Sequence, residues 1–416
     1  MTAARRLLLL LAGINLVNYL DRYVVAAVME PLGQELGLSD AQRGRMTFVF
    51  IVVYMCAAPV FGYLADRFHR PRLVTGGVLL WSLATIGAAF VHSYPALLLT
   101  RSLVGVGEAA YATLGPAMLA DGFPESGRAK AFTWFYLAIP VGSALGYGLG
   151  GLVAGVWGWR ASFLAAGLPG LILALWMVFQ DDPERGGMDA APDMDAALPY
   201  LERLRHVFFN RIWLACTASY VAYTFAMGGL SMWGPTLLQR RFGVSTAHAG
   251  LVFGGLAVVT GILGTFLGGH LTDRWQGRWP NAGILVSGIT LLAAAPVVAW
   301  ALGAGHLGAA YALFFVGMFL LFVNTSPVNA LTVSCLPASV RATGVGMNVL
   351  FIHLLGDAIS PELVGRRADA LLGQGFSGGD ALARALMLVL PAIALSGLAL
   401  WWARQRPAAA APEPEA

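Results

Sequence analysis

Two ionisable residues sit side by side in "NYLDRY" (residues 18–23), inside an apolar run that extends from Leu7 to Met29. A second pair, Arg101 and Glu108, lies in "TRSLVGVGEAAYATLGPAML", another apolar run. A charge held in hydrocarbon costs about 2.5 kcal/mol or more, so such residues mark function. A carboxylate beside a guanidinium stays ionised. One that loses that neighbour in apolar surroundings is driven to take up a proton. A cluster of this kind can therefore couple proton uptake to a change of shape, and Asp21, Arg101 and Glu108 are its candidates.

Spacing sharpens the expectation. Arg101 and Glu108 are seven residues apart, about two helical turns or 10 Å along one face. Gly105 lies between them and lets another group approach. Neighbouring residues on a helix point about 100° apart, so Asp21 and Arg22 cannot both satisfy each other. Asp21 follows Arg6 by fifteen residues, which raises it about 22 Å from that end. Arg101 lies about 9 Å below the other end of its helix, near Pro95. In a core about 30 Å thick the two depths agree. Arg101 is thus the expected partner of Asp21.

The second half of the chain carries neutral polar and aromatic groups instead. Tyr220, Tyr223 and Thr224 occupy one run, Asn324, Thr325, Ser326 and Asn329 another, and Asn348, His353 and Asp357 a third. We expect Arg22, Tyr111, Tyr220, Asn324, His353 and Asp357 to line a substrate cavity. Arg22 and Arg101 suit a phosphate headgroup, and the aromatics suit an apolar chain.

The elements that must position these groups are membrane helices. The 416 residues are 58% hydrophobic and 12% charged, with mean hydropathy +0.70. Soluble domains carry about 25% charged residues. Twelve apolar runs reach the length of a span: 7–29, 42–65, 72–92, 95–120, 128–155, 160–180, 209–236, 246–271, 281–302, 307–333, 341–364 and 383–403. The basic start followed by an apolar run lacks a small-residue cleavage site and reads as a retained first helix. Sixteen of the 26 basic residues fall on the side of the chain termini and eight on the other, which predicts cytoplasmic termini. The net charge of +4 is spread over short loops rather than one polar face, so nucleic acid is not an expected partner. Cys56, Cys216 and Cys335 read as small buried hydrophobes. No spacing suggests a metal site, and no cofactor is expected.

The expected organisation is a six-helix bundle over 1–180, a cytoplasmic linker over 181–208, a second six-helix bundle over 209–404 and a disordered tail over 405–416. The linker begins acidic and Gly/Pro-containing, then ends in "YLERLRHVF", the pattern of a short surface helix. The halves repeat. "GLSDAQRG" (37–44) returns as "GVSTAHAG" (243–250), and "GYLADRFHR" (62–70) as "GHLTDRWQGR" (269–278). Each pair frames the two ends of one helix, the signature of a parallel repeat about a membrane-normal axis. Ser39 with Gln42 forms a predicted capping box, and Ser245 is the equivalent cap.

"GYLADRFHRPR" resembles the cytoplasmic loop motif of the major facilitator superfamily through Gly62, Leu64, Asp66, Arg67 and Arg70, with His69 in place of a later glycine. Gly269, Leu271, Asp273 and Arg274 form a partial copy. The resemblance implies a latch in which the loop carboxylate meets a helix amino terminus of the other half. Asp66 is then expected near Arg341, and Asp273 near Ser126 and Arg128. The row Gly142, Gly146, Gly150 permits close helix packing and loosely resembles the glycine-rich fifth helix of exporters.

Taken together, "NYLDRYVVAAVM", "APVFGYLADRFHR", "RSLVGVGEAAY", "YLAIPVGSALGYGLGG" and "HLLGDAISPELVG" resemble the Spinster branch of that superfamily. The resemblance implies a proton-coupled carrier of lysophospholipids or sphingosine-1-phosphate, working by alternating access. It also implies that Asp21, Arg101 and Glu108 match the coupling positions, and His353 and Asp357 the helix 11 motif. A monomer in the cell membrane is expected, surrounded by membrane lipids. The arginine bias points to a bacterial inner membrane. Drug or organic-anion efflux is the alternative within transport; a lipid scramblase or a non-transporting receptor is the alternative outside it. No nucleophile motif or phosphate loop supports an enzyme.

Overall fold

A computed structural model describes residues 3–185, 199–279 and 281–404. Every regular element among them is helical. The first half comprises α1 (Ala3–Glu35), α2 (Asp40–Ala65), α3 (Arg70–Ala88), α4 (Tyr94–Gly122), α5 (Glu125–Trp157) and α6 (Trp159–Met177). A short α7 (Tyr200–Phe209) precedes the second half. That half comprises α8 (Arg211–Phe242), α9 (Thr246–Gln276), α10 (Ala282–Gly303), α11 (Leu307–Val323), α12 (Thr325–Ser334), α13 (Ala338–Phe351), a π-helical turn (Ile352–Asp357), α14 (Ile359–Leu372), α15 (Gly378–Leu386) and α16 (Val389–Arg404). The linker residues 186–198 and the tail 405–416 lie outside the described residues.

All twelve expected spans fall on helices. Ten of the helical stretches are long and apolar enough to cross a membrane by length and composition. The expected spans on α3 and α8 are not among them, because their polar residues lower the mean hydropathy; several of those residues face inward. Thr75, Ser82 and Thr85 of α3 are buried, as are Thr217, Ser219 and Thr236 of α8. Three expected single helices are interrupted. The 307–333 span breaks at Asn324, the 341–364 span contains the π turn and extends to Leu372, and the 383–403 span breaks between α15 and α16. Cys56 is exposed rather than buried; in a lipid-facing surface, apolar neighbours in sequence do not imply an interior position.

Successive helices alternate between the face holding the chain termini, the terminal face, and the opposite, far face. Helix starts follow their sequence signals. Ser39 accepts from the Gln42 amide while the Gln42 side chain accepts from the Ser39 amide, at 3.3 and 3.0 Å, satisfying two donors that a helix start leaves free. Ser245 accepts from the His248 amide at 3.2 Å.

The glycine row of α5 brings α1 into backbone contact. A Cβ on Gly142 or Gly146 would collide with the carbonyl oxygens of Leu16 and Leu20 respectively. This contact sets the rotation of α1 and therefore where Asp21 and Arg22 point. α7 is held to the second half by Val207, fully buried with Trp213, Leu336 and Val340.

The halves are joined toward the far face. Bonds that join the halves there are Arg240 with Glu30 and Asp40, Arg45 with Glu362, Asp369 with the start of α2, and Tyr147 with the Ser231 carbonyl. At the terminal face the expected latch between Asp66 and Arg341 is not made. The Asp66 carbonyl instead accepts from Arg185 at 2.9 Å, and the same guanidinium reaches the Ala65 carbonyl at 2.6 Å. A cation on these carbonyls suits the carboxyl end of a helix. Arg67 lies 3.9 Å over the Tyr63 ring. Arg70 binds Asp182 and Asp121 at 2.7 and 2.5 Å. Asp273, Arg274 and Arg341 are exposed. The loop residues are instead engaged within their own half, Asp66 by Arg185 and Arg70 by Asp121 and Asp182.

Candidate functional site in the cavity between the halves

A cavity of about 390 Å3 lies between the halves. Arg22 of α1 and Arg101 and Glu108 of α4 line one wall; Tyr220 and Thr224 of α8 and His353 and Asp357 of the π turn line the other.

α1 and α4 supply the charges because their polar residues recur on one face. Arg22 donates through Nε to Glu108 Oε2 at 2.6 Å, with the Glu108 side chain fully buried and that of Arg22 20% exposed. Three rings surround the guanidinium, those of Tyr19, Phe50 and Tyr54, with centroids 5.2, 5.1 and 5.1 Å away. Such cation–π contacts favour a desolvated guanidinium by about 2 kcal/mol.

The expected partner of Asp21 is corrected here. Asp21 is buried, and its Oδ2 accepts from the Thr85 hydroxyl at 2.7 Å. Its hydrogen-bond partner is thus α3, not Arg101. The Arg101 guanidinium instead lies 5.4 Å from the Phe163 ring centroid. Depth alone matched Asp21 with Arg101, but the helix rotation set by α5 turns the carboxylate to α3. The buried atoms Asp21 Oδ1, Glu108 Oε1 and Arg101 Nε and Nη2 make no hydrogen bond within the protein. These groups are held close together without being mutually saturated, a state in which small movements change which charge faces which.

Two expected cavity residues do not line it. Tyr111 is 1% exposed, donates to the Leu11 carbonyl at 2.7 Å, and packs against Trp81 and Phe135. It is a core tyrosine joining α4 to α1. Asn324 is buried and bonds the carbonyl of Leu321 in its own helix, where it marks the break between α11 and α12. An aromatic or amide in an apolar run has no sequence mark that separates cavity from core. Tyr111→Phe is therefore expected to cost about 1 kcal/mol of stability, the net value of one hydrogen bond, and to leave transport intact. Thermal unfolding in detergent with an uptake assay checks both parts.

The second wall is built by the π turn. His353 Nδ1 lies 3.1 Å from both carboxylate oxygens of Asp357. The wider turn frees a carbonyl, that of Ile352, which accepts from the Thr224 hydroxyl at 2.9 Å. π turns are frequent at functional sites. Tyr220 and Tyr223 stack at 5.3 Å, and Asn329 donates to the Tyr220 hydroxyl at 2.9 Å.

Thr85, Tyr19, Phe50 and Tyr54 went unnoticed in the sequence. Tyr19 was legible, lying three residues before Arg22 on the same face. Phe50, Tyr54 and Thr85 carry no signal that separates them from other lone residues in apolar runs. Among the described residues no group of three His, Cys, Asp or Glu side chains is placed to hold a metal ion.

Comparison with known proteins agrees with this architecture. The family model described as Major Facilitator Superfamily matches residues 11–361. The chain is 36% identical to protein spinster homolog 1 of Bos taurus over 382 residues, covering 87% of this chain and 72% of that protein. It is equally similar to the Homo sapiens protein of that name, at 36% with the same coverage. The fold resembles the crystal structure of a bacterial homologue of the human lysosomal transporter Spinster in an inward-facing, unoccupied conformation. The TM-score is 0.85 at 24% identity, over 97% of this chain and 96% of that one. Paired helical halves, a charged cavity between them and relatives matched over most of both chains lead to one assignment: this chain belongs to the Major Facilitator Superfamily, in its Spinster branch of membrane transporters, and is not an enzyme.

Proposed function

We propose that this protein is a proton-coupled secondary active transporter of amphiphilic, lipid-like substrates of the lysophospholipid or sphingosine-1-phosphate type. One observation carries the reading: Arg22, Arg101 and Glu108 line the cavity between the halves, Asp21 is buried on α1 beside Arg22, and the group is incompletely saturated. A phosphate entering there competes with Glu108 for Arg22, and Arg101 adds a second cation to the lining. Loss of the arginine from Glu108 favours its protonation, which links substrate and proton. His353 and Asp357 supply polar contacts on the opposite wall.

The chain crosses the membrane twelve times with both termini cytoplasmic, as the basic residues favour, in a bacterial inner membrane and as a monomer. The terminal face, where Asp66 and Arg341 are exposed and unlatched, is then the cytoplasmic one and is taken as the open one. In the opposite state that face closes, Asp66 meeting the start of α13 near Arg341 and Asp273 the start of α5 near Arg128, with Arg67 and Arg274 beside them. Efflux of drugs or organic anions is the second reading, favoured by the same arginine-lined cavity.

The test uses purified protein in liposomes with labelled lysolipid on one side, with and without an imposed pH gradient. At one proton per substrate, one pH unit is expected to support about tenfold accumulation. Asp21→Asn and Glu108→Gln are each expected to remove that gain. Full coupling in both variants would sink proton coupling at this cluster. Uptake uncompeted by long-chain lipids would favour the drug reading, gradient-independent leakage both ways a scramblase, and no movement a receptor.

A further inference from the structure

The far face is closed by two seams that are related by the internal repeat but differ in chemistry. Along the first, α2 meets α14. A Cβ on Gly365 would overlap the Asp40 carbonyl oxygen, and one on Gly44 the Pro361 carbonyl oxygen, so these backbones touch. Along the second, α5 meets α9. A Cβ on Gly250 would overlap the Tyr147 carbonyl oxygen, and one on Gly151 would meet the Thr246 carbonyl oxygen at 2.7 Å. Gly44 and Gly250 are equivalent positions in the repeated "GLSDAQRG" and "GVSTAHAG".

Beyond the glycines the equivalence ends. Asp369 of α14 accepts from the Asp40 and Ala41 amides through its two oxygens, at 2.8 and 2.9 Å. These are the first two free donors of α2; the next, on Gln42, is taken by Ser39. The first half therefore cannot complete its own helix start, and the second half supplies the missing acceptor. A carboxylate there is also aligned with the positive end of the helix dipole. Arg240 adds bonds of 2.7 Å to both Asp40 oxygens, and Arg45 binds Glu362 across the same seam. On the α5–α9 seam, Gly155 faces Ala247 at the place where α14 presents Asp369. At the far face neither residues 148–157 of α5 nor residues 246–255 of α9 include an Asp, Glu, Lys or Arg.

We propose that Asp369 is a positioning residue of the transport cycle: it latches the α2–α14 seam at the far face, while the glycine-packed α5–α9 seam is the hinge about which that face opens. Separating the first seam breaks ionic and helix-end contacts that water can replace once they are apart. Separating the second gains no such exchange, so it stays packed. The inference rests on the reading that this protein alternates its open face, and it does not depend on the substrate or on protons.

The experiment measures distances between paired spin labels in the full chain in lipid nanodiscs, with Cys56, Cys216 and Cys335 replaced. One pair, Leu36→Cys with Leu372→Cys, spans the first seam; the other, Val156→Cys with Leu251→Cys, spans the second. Asp369→Ala is expected to raise the separated population of the first pair about tenfold and to leave the second pair unmoved. Asp369→Asn, which keeps one acceptor and the shape, is expected to fall between. Unchanged distances at the first pair in both variants would overturn the latch, and equal widening at both pairs would overturn the hinge. Because no substrate is added, failure here is distinct from failure of lipid or proton transport.

Discussion

Arg22→Ala is expected to abolish transport and to destabilise the fold by about 3–5 kcal/mol, the usual cost of removing one partner from a buried ion pair. The size follows from Glu108. Its side chain is fully buried, Arg22 supplies its one hydrogen bond within the protein at 2.6 Å, and its other oxygen has none. Alanine leaves that carboxylate without a counter-charge, and the aromatic surround of Tyr19, Phe50 and Tyr54 offers it no donor through its ring faces. Adding Glu108→Gln to Arg22→Ala removes the stranded charge, and most of the lost stability is expected to return. Transport is not expected to return with it, since both the phosphate donor and the exchangeable acid are then gone. Thermal unfolding in detergent and uptake into liposomes measure the two parts. A single variant as stable as the parent, or a double variant that transports, would contradict this account of the pair.

Gly365→Leu is expected to hold the far face open and to reduce transport about 5- to 150-fold. Overfilling a packed contact costs about 1–3 kcal/mol, and such a bias shifts a two-state equilibrium by that factor. Here the obstacle is backbone, because the added Cβ would overlap the Asp40 carbonyl oxygen and its neighbouring carbon. Neither can move aside as a side chain does. The six-helix halves keep their internal packing, since Gly365 faces the other half. Folding should therefore survive while closure fails. A cysteine at Ser231, deep in the cavity wall, is expected to react faster with an impermeant thiol reagent applied from the far side of intact cells. Unaltered labelling together with unaltered transport would show that the seam tolerates the bulk.

Much of this was open to direct inspection of the chain. Composition demands lipid as solvent, because no soluble core can absorb so many apolar residues at 12% charge. The repeat of "GLSDAQRG" and "GYLADRFHR" in the second half fixes two equivalent bundles, and the capping residues Ser39 and Ser245 fix where their second helices begin. The charges of α1 and α4 stood out because hydrocarbon makes each of them costly. That Asp21 and Arg22 must look to different neighbours followed from 100° of helical rotation per residue.

Which neighbours they find did not follow. Helix rotation is set by contacts far away in the chain, here the glycines of α5 against the carbonyls of Leu16 and Leu20, and this turns Asp21 to Thr85 and leaves Glu108 to Arg22. Tyr111 and Asn324 went to the interior for the same reason: in an apolar run a ring or an amide fits equally well against core, cavity or lipid until packing assigns it a side. The Asp369 contact lay further out of reach, since it joins residues 329 apart and its acceptor geometry exists only while two halves touch. Local spacing along the chain dictates which residues share a helix face. The direction of that face, and which of two faces of the molecule is closed, belong to the packing of whole helices and bundles against one another.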